Sequence, residues 1–418
     1  MRILVFETSG NGHRFHYVAS LLPALIGLGA PVTVAIPRSQ FDTAEFRAYL
    51  APWHDKVHID VFDAQQRGSR SQIDRERVHL LIAAAERNRA EHVYVPSSDG
   101  LAQMLALSWR ARRAGRRWEA EAGLHRGSFA YPADGAARAF RNTLALGMLR
   151  MGTWSQFHHV DVLAYEWARA HGGDFARRSS LLPDPIHPVT PMSKIAARRQ
   201  LGIPEDGRYC GSAGTITGRK GIGILLRAFA TASGLAPSDR LLLAGKFDTE
   251  MRSLLDGEFS ELERSGRVVA LDRFLTDQEL SASLAAMDLV CAPYPQHIGI
   301  ASVVLRAVAA GRPVLGSDQG WIGHVVGRLG LGWTCPADSA KLIPLLGPAL
   351  ERSIAYCPPP TAARLLEFHT PENFAASWTR RLRERLGRSP VSAMRDWDWV
   401  TGADSANLSS LAVGAPLQ

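Results

Sequence analysis

Short apolar runs alternate with amphipathic helical stretches along most of the 418 residues, in two successive series. Continuous apolar runs of four to eight residues between turn signals are typical of strands that are buried on both faces. Regular alternation of such strands with helices implies a parallel sheet covered by helices. A chain of this length is also too long for one compact core. We therefore predict an α/β fold with two domains.

The two series of predicted strands define the two domains. Strands are predicted at 2–8, 31–37, 57–63, 92–97 and 158–165, and then at 208–213, 240–245, 267–271, 288–292 and 313–316. A proline-rich segment at 181–188 separates the series and predicts a hinge. The domain boundaries are therefore expected at 1–188 and 189–370, each domain being Rossmann-like, with the carboxyl ends of the two parallel sheets facing a common cleft.

The residues after 370 predict a helix followed by a tail. Thr370 offers an N-cap and Pro371 suits the first helical position, so we expect a C-terminal crossover helix over 371–387. Residues 388–418 lack apolar periodicity and are expected to form a flexible tail. Trp397 and Trp399 are candidates for a weak docking point of that tail.

Composition limits the cellular location, the metal sites and the partners to be expected for the protein. The chain begins without a signal-peptide pattern and contains no run of about 18 apolar residues, which favours a cytoplasmic location. The four cysteines lack the spacing of a zinc site. The net charge of +8 is compatible with nucleic acid, membranes or phosphorylated substrates. Only five of the 48 basic residues are lysines, so an arginine-rich composition explains most of the excess, and we expect no nucleic-acid partner.

A basic helical stretch at 99–117 leaves one question open. It carries Arg110, Arg112, Arg113, Arg116 and Arg117 beside several leucines. Such a helix either has an ordinary solvated basic face or makes a peripheral contact with an anionic membrane at its inner face.

Glycine-rich strand-to-helix loops are the candidate ligand sites of the second domain. Residues 214–223 follow a predicted strand and open an apolar helix, and they place Arg219 and Lys220 at the helix start. There the two cations can offset the charge of a diphosphate, or they belong to an exposed surface turn. Residues 318–324 form a second glycine-containing loop, which suits either a close ligand contact or an ordinary turn.

The first domain offers candidates in three loops. Gly10 and Gly12 leave room for a ligand to approach the backbone, and His13 suits either a hydrogen bond to a ligand or a helix cap. Asp99 either caps the following helix or faces the cleft. Arg126 either binds a phosphate or is solvated.

Taken together, several segments resemble the GT-B glycosyltransferases. They are the glycine loop at 9–13, GTITGRKGIGILLRAF at 214–229, LLLAGK at 241–246, the stretches at 274–294 and 302–326, and GLGW at 330–333. Within that fold they resemble the retaining group often called family 4, which includes sucrose and glycogen synthase relatives. The resemblance implies α-retaining transfer from a nucleotide-diphosphate sugar, held mainly by the second domain, to an acceptor on the first. It also implies that basic residues, rather than a metal ion or a cofactor, stabilise the leaving phosphate.

The resemblance also assigns residues. Lys220 falls on the family's phosphate-binding lysine, and Thr215 replaces the arginine usual five residues earlier, so Arg219 is expected to supply that charge. Asp99 or Ser98 lies near the place of a histidine beside the reacting sugar, and Asp99 is the candidate catalytic group. Further donor-binding positions are Gly214, Lys246, Phe274, Leu275, Gly299, Ile300, Ala301 and Ser302.

Three further substitutions depart from the family pattern. Its paired glutamates, separated by seven residues, are here Ile298 and Arg306, and His324 stands at another usual glutamate. Isoleucine cannot accept hydrogen bonds from sugar hydroxyls, so donor recognition differs or is lost. Arg306 either binds phosphate or packs in a helix. The alternatives to a transferase are a degenerate GT-B domain that binds a sugar nucleotide or a partner, and a GT-B-fold UDP-sugar epimerase or inverting transferase.

Overall fold

The chain forms two compact units. A computed structural model describes residues 1–10, 14–64, 68–108, 117–186, 192–389, 391 and 394–402. One unit contains Met1–Pro185 and His369–Arg395, and the other contains Ile186–Phe368 and Asp396–Gln418. Each unit is built around its own parallel sheet.

The described residues of the first unit contain a seven-stranded sheet of order β3-β2-β1-β4-β5-β6-β7, in which every pair of neighbours is parallel. Its central strands are buried on both faces because helices cover the sheet. The strands are β1 Ile3–Phe6, β2 Val32–Pro37, β3 His58–Phe62, β4 His92–Val95, β5 Glu119–Leu124, β6 Gln156–His159 and β7 Ser179–Leu181. The helices are α1 Arg14–Ile26, α2 Ala44–Tyr49, α3 Arg70–Arg87, α4 Leu101–Leu107, α5 Ala136–Met151, α6 Val162–Ala170 and α7 Gly173–Arg177.

The described residues of the second unit contain a six-stranded parallel sheet of order β10-β9-β8-β11-β12-β13. The strands are β8 Tyr209–Ala213, β9 Arg240–Ala244, β10 Val268–Leu271, β11 Leu289–Ala292, β12 Val314–Ser317 and β13 Gly332–Cys335. The helices are α8 Lys194–Leu201, α9 Ile222–Thr231, α10 Thr249–Asp256, α11 Ser260–Arg264, α12 Asp277–Ala286, α13 Ser302–Ala309, α14 Gly320–Leu329, α15 Ser339–Arg352 and α16 Pro360–Phe368.

The core of the second unit explains why β8 and α9 hold their loop in place. All five residues of β8 are buried, and α9 buries Leu225, Leu226 and Phe229 in the cluster that contains Leu241 and Leu243 of β9. Burial of such side chains stabilises a fold by about 2 kcal/mol each. The loop between β8 and α9 is therefore anchored at both of its ends.

The C-terminal residues form two more helices. Helix α17 spans Pro371–Arg385, and the Thr370 side chain accepts a hydrogen bond from the Asn373 N–H, as the sequence predicts. Helix α18 spans Trp397–Thr401, where we expected a flexible tail. It forms because Trp397 is buried with an edge contact to Phe368, at 5.7 Å between ring centroids. Residues 403–418 lie outside the described residues.

The prediction of a strand over 158–165 is wrong in its second half. Strand β6 ends at His159, and Asp161 caps α6 by accepting a hydrogen bond from the Leu163 N–H. The run HHVDVLAY is apolar enough for either structure, and the aspartate at its centre ends the strand.

Strands β5, β7 and β13 were not predicted. Strand β5 contains two glutamates, of which Glu121 is fully buried between His92 and His158 at 3.0 and 2.7 Å. Strand β7 has only three residues, two of them serines. Strand β13 contains a glycine and a threonine and lies at the sheet edge. The α/β fold with two parallel-sheet, Rossmann-like units is nevertheless confirmed.

Candidate functional site

The loop after β8 lies at the carboxyl edge of the second sheet, where ligands of open α/β folds bind. Gly214, at the end of β8, has a φ of 92°, and Gly221 has a φ of 70°. A Cβ atom at Gly221 would overlap the carbonyl oxygen of Pro293, which follows the neighbouring strand β11. The loop at 214–221 is therefore packed directly against the segment that begins at Pro293.

Lys220 is the principal cation of this loop. Its Nζ atom donates a hydrogen bond to the carbonyl oxygen of Ala213 at 3.1 Å. Partial burial, together with the neighbouring guanidinium of Arg219, lowers the pKa of Lys220 to about 8. Among the described residues no carboxylate forms an ion pair with Lys220 or Arg219, and Arg219 is exposed. The ammonium group is thus half-buried and carries a charge that no described carboxylate neutralises.

Other groups at this edge can also contact a ligand. The Thr217 hydroxyl is buried and has no hydrogen-bond partner among the described residues, and the Ser317 hydroxyl at the end of β12 is in the same state. Thr215 is exposed and Gly214 half-buried. Buried hydroxyls without partners are costly, and a ligand that reached them would reduce this cost.

Lys246 is brought near the same edge but is already paired. Its Nζ atom lies 3.3 Å from the Asp272 carboxylate, which also accepts a hydrogen bond from the Phe247 N–H. Phe274 is 86% exposed, and Leu275 is half-buried directly before the cap of α12. Lys246 follows β9, and Phe274 and Leu275 follow the edge strand β10, whereas the basic loop follows β8.

The segment after β11 presents backbone groups. Gly299 is buried with a φ of 95°, Ile300 is half-buried, and its carbonyl oxygen is 3.2 Å from Nε2 of His297. Helix α13 then begins at Ser302, with Ala301 as an N-cap that offers no side-chain hydrogen bond. The Val304 N–H donates to the Ala301 carbonyl oxygen at 2.9 Å, which leaves the N–H groups of Ser302 and Val303 as the candidate donors to an anion.

The structure places no carboxylate at the two positions of the missing glutamates. Ile298 is half-buried, and Arg306 forms a 3.4 Å ion pair with the exposed Asp277. Arg306 is therefore engaged within the second unit, in the manner of a packed helical arginine.

A cavity of about 330 Å³ lies in the first unit at the carboxyl ends of β1, β4 and β5. Four arginines from three chain segments line it, together with two carboxylates, two aromatic rings and a serine. The arginines are Arg14, Arg70, Arg77 and Arg126, and the other lining residues are Tyr17, Asp74, Ser97, Asp99 and His125.

Asp99 has a defined position in this cavity. Its Oδ1 atom accepts hydrogen bonds from the backbone N–H groups of His125 and Arg126, at 3.1 and 3.2 Å. Helix α4 is capped by Gly100 without a side-chain bond, so Asp99 does not cap it. Asp99 therefore holds the loop after β5, which carries the exposed Arg126 into the cavity lining.

Gly10 is explained by packing inside the first unit. A Cβ atom there would collide with the Phe15 ring and the Gln40 amide, and Gln40 also accepts a hydrogen bond from the Gly10 N–H at 2.9 Å. Gly12 and His13, predicted to bind the ligand with it, lie outside the described residues. The preceding Glu7 is buried and accepts a hydrogen bond from Arg14 at 3.0 Å.

Sequence reasoning missed Arg14, Arg70, Asp74 and Arg77. Asp74 and Arg77 form a 3.0 Å ion pair one turn apart on α3. A Cβ atom at Gly100 would overlap the Asp74 carboxylate, so α3 lies against the turn after β4. The i, i+3 pair is visible in the sequence, but its placement beside Asp99 depends on tertiary packing.

The basic stretch at 99–117 is described only in part. Helix α4 covers Leu101–Leu107, whereas Arg110, Arg112, Arg113 and Arg116 lie outside the described residues. Within the part of the chain that the structure describes, every helix is too short or too polar to cross a membrane.

Comparisons with known proteins agree with this geometry. Residues 207–344 match the family model described as Glycosyl transferases group 1. A D-inositol 3-phosphate glycosyltransferase of Mycolicibacterium smegmatis is 29% identical over 256 residues, which cover 57% of this chain and 55% of that protein. A phosphatidyl-myo-inositol mannosyltransferase of Mycobacterium leprae is 27% identical over 183 residues, which cover 43% of this chain and 40% of that protein. The chain thus spans about half the length, or less, of these curated relatives.

Solved structures resemble the chain over nearly its whole length. Anabaena Alr3699/HepE in complex with UDP matches with a TM-score of 0.65 and 18% identity, covering 92% of this chain and 100% of that one. Sucrose-phosphate synthase from Thermosynechococcus elongatus matches with a TM-score of 0.67 and 18% identity, and the match covers 93% of this chain and 100% of that one. The chain therefore has the fold of the GT-B glycosyltransferases, and its residues 207–344 match the Glycosyl transferases group 1 family model.

Proposed function

We propose that the protein transfers a sugar from a nucleotide-diphosphate sugar to an acceptor with retention of anomeric configuration. The second unit binds the donor and the first unit binds the acceptor. The observation that carries the proposal is the half-buried, unneutralised ammonium group of Lys220 at the end of β8.

Lys220 suits a diphosphate for electrostatic reasons. When the bond between the anomeric carbon and the phosphate oxygen breaks, negative charge grows on the departing nucleoside diphosphate. A cation that is already in place and partly shielded from water stabilises this charge more than it stabilises the bound substrate. Arg219 adds a second positive charge on the same turn, and the N–H groups at the start of α13 add neutral donors.

Uridine is the base favoured for the donor. Alr3699/HepE has been solved with UDP and with UDP-glucose, and it shares the fold of this chain. We accordingly propose UDP-sugars as the first donors to test. Retention is supported by the family 4 resemblance of the donor segments, and basic residues take the place of a metal ion at the phosphates.

A donor and acceptor panel tests the proposal. The chain should release nucleoside diphosphate from a UDP-sugar or GDP-sugar only when an acceptor is present, and the release should continue in excess EDTA. The product should show the donor's anomeric configuration by proton NMR. A product of inverted configuration, or strict dependence on a divalent ion, would contradict the proposed mechanism.

One observation favours a second candidate, a GT-B domain that binds a sugar nucleotide without transfer. Neither Ile298 nor Arg306 can accept hydrogen bonds from sugar hydroxyls, and Arg306 is paired with Asp277. If UDP binds while every donor stays intact with every acceptor, this candidate replaces the transferase.

A further inference from the structure

Four guanidinium groups converge on the cavity of the first unit. Arg14 begins α1, Arg70 and Arg77 lie on α3, and Arg126 follows β5. Two carboxylates, Asp74 and Asp99, share the lining, so its formal charge is +2. The fold holds arginines from three separate segments close together here, although electrostatic repulsion between their charges opposes this arrangement.

Two of these arginines are not neutralised. Arg14 pairs with Glu7 and Arg77 pairs with Asp74, each at 3.0 Å. Among the described residues, Arg70 and Arg126 have no ion-pair partner, and both side chains are exposed to solvent at the cavity. The Asp99 carboxylate accepts two backbone N–H bonds, so part of its charge is already compensated.

The cavity also offers an unused neutral group. The Ser97 hydroxyl lines it, is buried, and has no hydrogen-bond partner among the described residues. Guanidinium groups present paired N–H donors that match the oxygens of a phosphate, and a hydroxyl can complete the set. A volume of about 330 Å³ is at the small end of ligand pockets, enough for a phosphate and a few carbon atoms.

We propose that this cavity binds a phosphate group carried by the acceptor, with Arg70, Arg126 and Ser97 as its ligands. Asp99 is a positioning residue, because it fixes the loop from which Arg126 extends. The inference rests on the proposed glycosyl transfer, since it names the acceptor class of that reaction. The phosphate belongs either to a small phosphorylated polyol or to the headgroup of a lipid.

Binding can be measured without any donor. We expect glycerol 3-phosphate to bind the full chain by titration calorimetry, with an affinity that falls as salt is raised, whereas glycerol should not bind. Arg70→Ala and Arg126→Ala should each weaken binding by at least about tenfold, because each removes a charge-assisted bond. Arg126→Lys should weaken it less, because the charge remains.

Arg177→Ala is the matched control. Arg177 is an exposed, ion-paired arginine at the end of α7, before the amino end of β7 and so at the opposite edge of the same sheet. This control should bind glycerol 3-phosphate as the wild type does. Equal binding by the wild type and both cavity variants, or equal binding of glycerol, would overturn the proposal.

Two further measurements separate the phosphate sources and the dependence on transfer. The first measurement is cosedimentation with lipid vesicles. If the protein cosediments with phosphatidic acid vesicles but not with phosphatidylcholine vesicles, and Arg126→Ala abolishes this, the phosphate belongs to a lipid. If the protein binds only glycerol 3-phosphate, the phosphate belongs to a soluble polyol.

The second measurement is donor consumption. If glycerol 3-phosphate binds but no donor is ever consumed, the cavity proposal stands and the transferase fails. If neutral acceptors are glycosylated and the KM values of both alanine variants are unchanged, the cavity proposal fails and the transferase stands.

Discussion

The Nζ atom of Lys220 lies 3.1 Å from the carbonyl oxygen of Ala213, the last residue of strand β8. This bond ties the lysine to the strand that precedes its own loop and uses one of its three N–H donors. The remaining donors and the whole positive charge are available, because no described carboxylate pairs with the group. The hydrogen bond between Lys220 and Ala213 therefore positions a positive charge at the end of β8, where an anion can bind.

The depressed pKa of Lys220 predicts a pH-dependent affinity for UDP. In the free protein this pKa is about 8, and a bound diphosphate would raise it because it stabilises the ammonium form. Affinity should therefore be full below about pH 7 and fall as the pH rises through 8, approaching tenfold per unit above that value. Titration calorimetry between pH 6.5 and 9.5 measures this directly.

Lys220→Arg provides the control for that titration. An arginine stays charged throughout this range, so the loss of affinity above pH 8 should disappear even if the absolute affinity changes. An unchanged pH profile in Lys220→Arg would assign the titration to another group.

Gly221→Ala should damage both the fold and the site. A side chain there needs a φ of 70° and also overlaps the Pro293 carbonyl, which together should cost about 2 to 4 kcal/mol of unfolding free energy. Gly266→Ala is matched to it, because Gly266 has a φ of 74° with open space around its Cβ position. It should cost only about 1 kcal/mol and leave UDP binding intact. Urea unfolding measures the loss of unfolding free energy in both variants. Equal losses in Gly221→Ala and Gly266→Ala would contradict the role given to the Pro293 contact.

The sequence predicts the sheets of this protein better than its first-unit site. Apolar runs such as RILVFET and RLLLAG identify strands because buried parallel strands need them. Strand β5 is obscured by the buried Glu121, whose partners His92 and His158 lie far from it in the sequence. The basic loop ending at Lys220 is visible because strand, glycines and cations are contiguous in the chain.

The cavity of the first unit could not be predicted in the same way. Arg70 and Arg126 are 56 positions apart in the sequence, and only the packing of α3 against the end of β4 brings them to one cavity. At Gly10 the sequence suggested a ligand contact that packing explains instead. A side chain there would collide with Phe15 and Gln40.

Asp99→Ala should act through the loop that it holds. Removing the carboxylate leaves the N–H groups of His125 and Arg126 without an acceptor, which should cost about 1 to 3 kcal/mol of stability and weaken glycerol 3-phosphate binding roughly tenfold. Asp99→Asn retains the accepting oxygen and should keep most of this binding. Equal losses in both variants would show that the negative charge, not the position of the loop, is what matters.

Acid should destabilise the first unit through protonation of its buried histidines. Burial of the ring lowers the pKa of His369 to about 4, although the neighbouring Asp184 acts in the opposite direction. The unfolded chain binds this proton near pH 6.5, so stability is complete above that pH and is lost as the pH falls towards 4. Between pH 7 and 4.5 the expected loss from this residue is about 2.5 kcal/mol.

Urea unfolding of wild type and His369→Asn at these two pH values isolates the contribution. The variant should lose about 2.5 kcal/mol less than the wild type between pH 7 and 4.5, whatever its stability at pH 7. His159, whose pKa burial lowers to about 3, should account for a similar loss that remains in the variant. Identical losses in the two proteins would exclude His369 as the titrating group.

The affinity of Lys220→Met for UDP at pH 7 tests the central claim most directly. Lys341→Met is the matched control, since Lys341 is an exposed lysine of the same unit on α15. We predict that Lys220→Met weakens UDP binding by at least about a hundredfold, or 2.7 kcal/mol, while Lys341→Met binds as the wild type does. UDP binding of equal strength in all three proteins would contradict the assignment of the donor site to the end of β8.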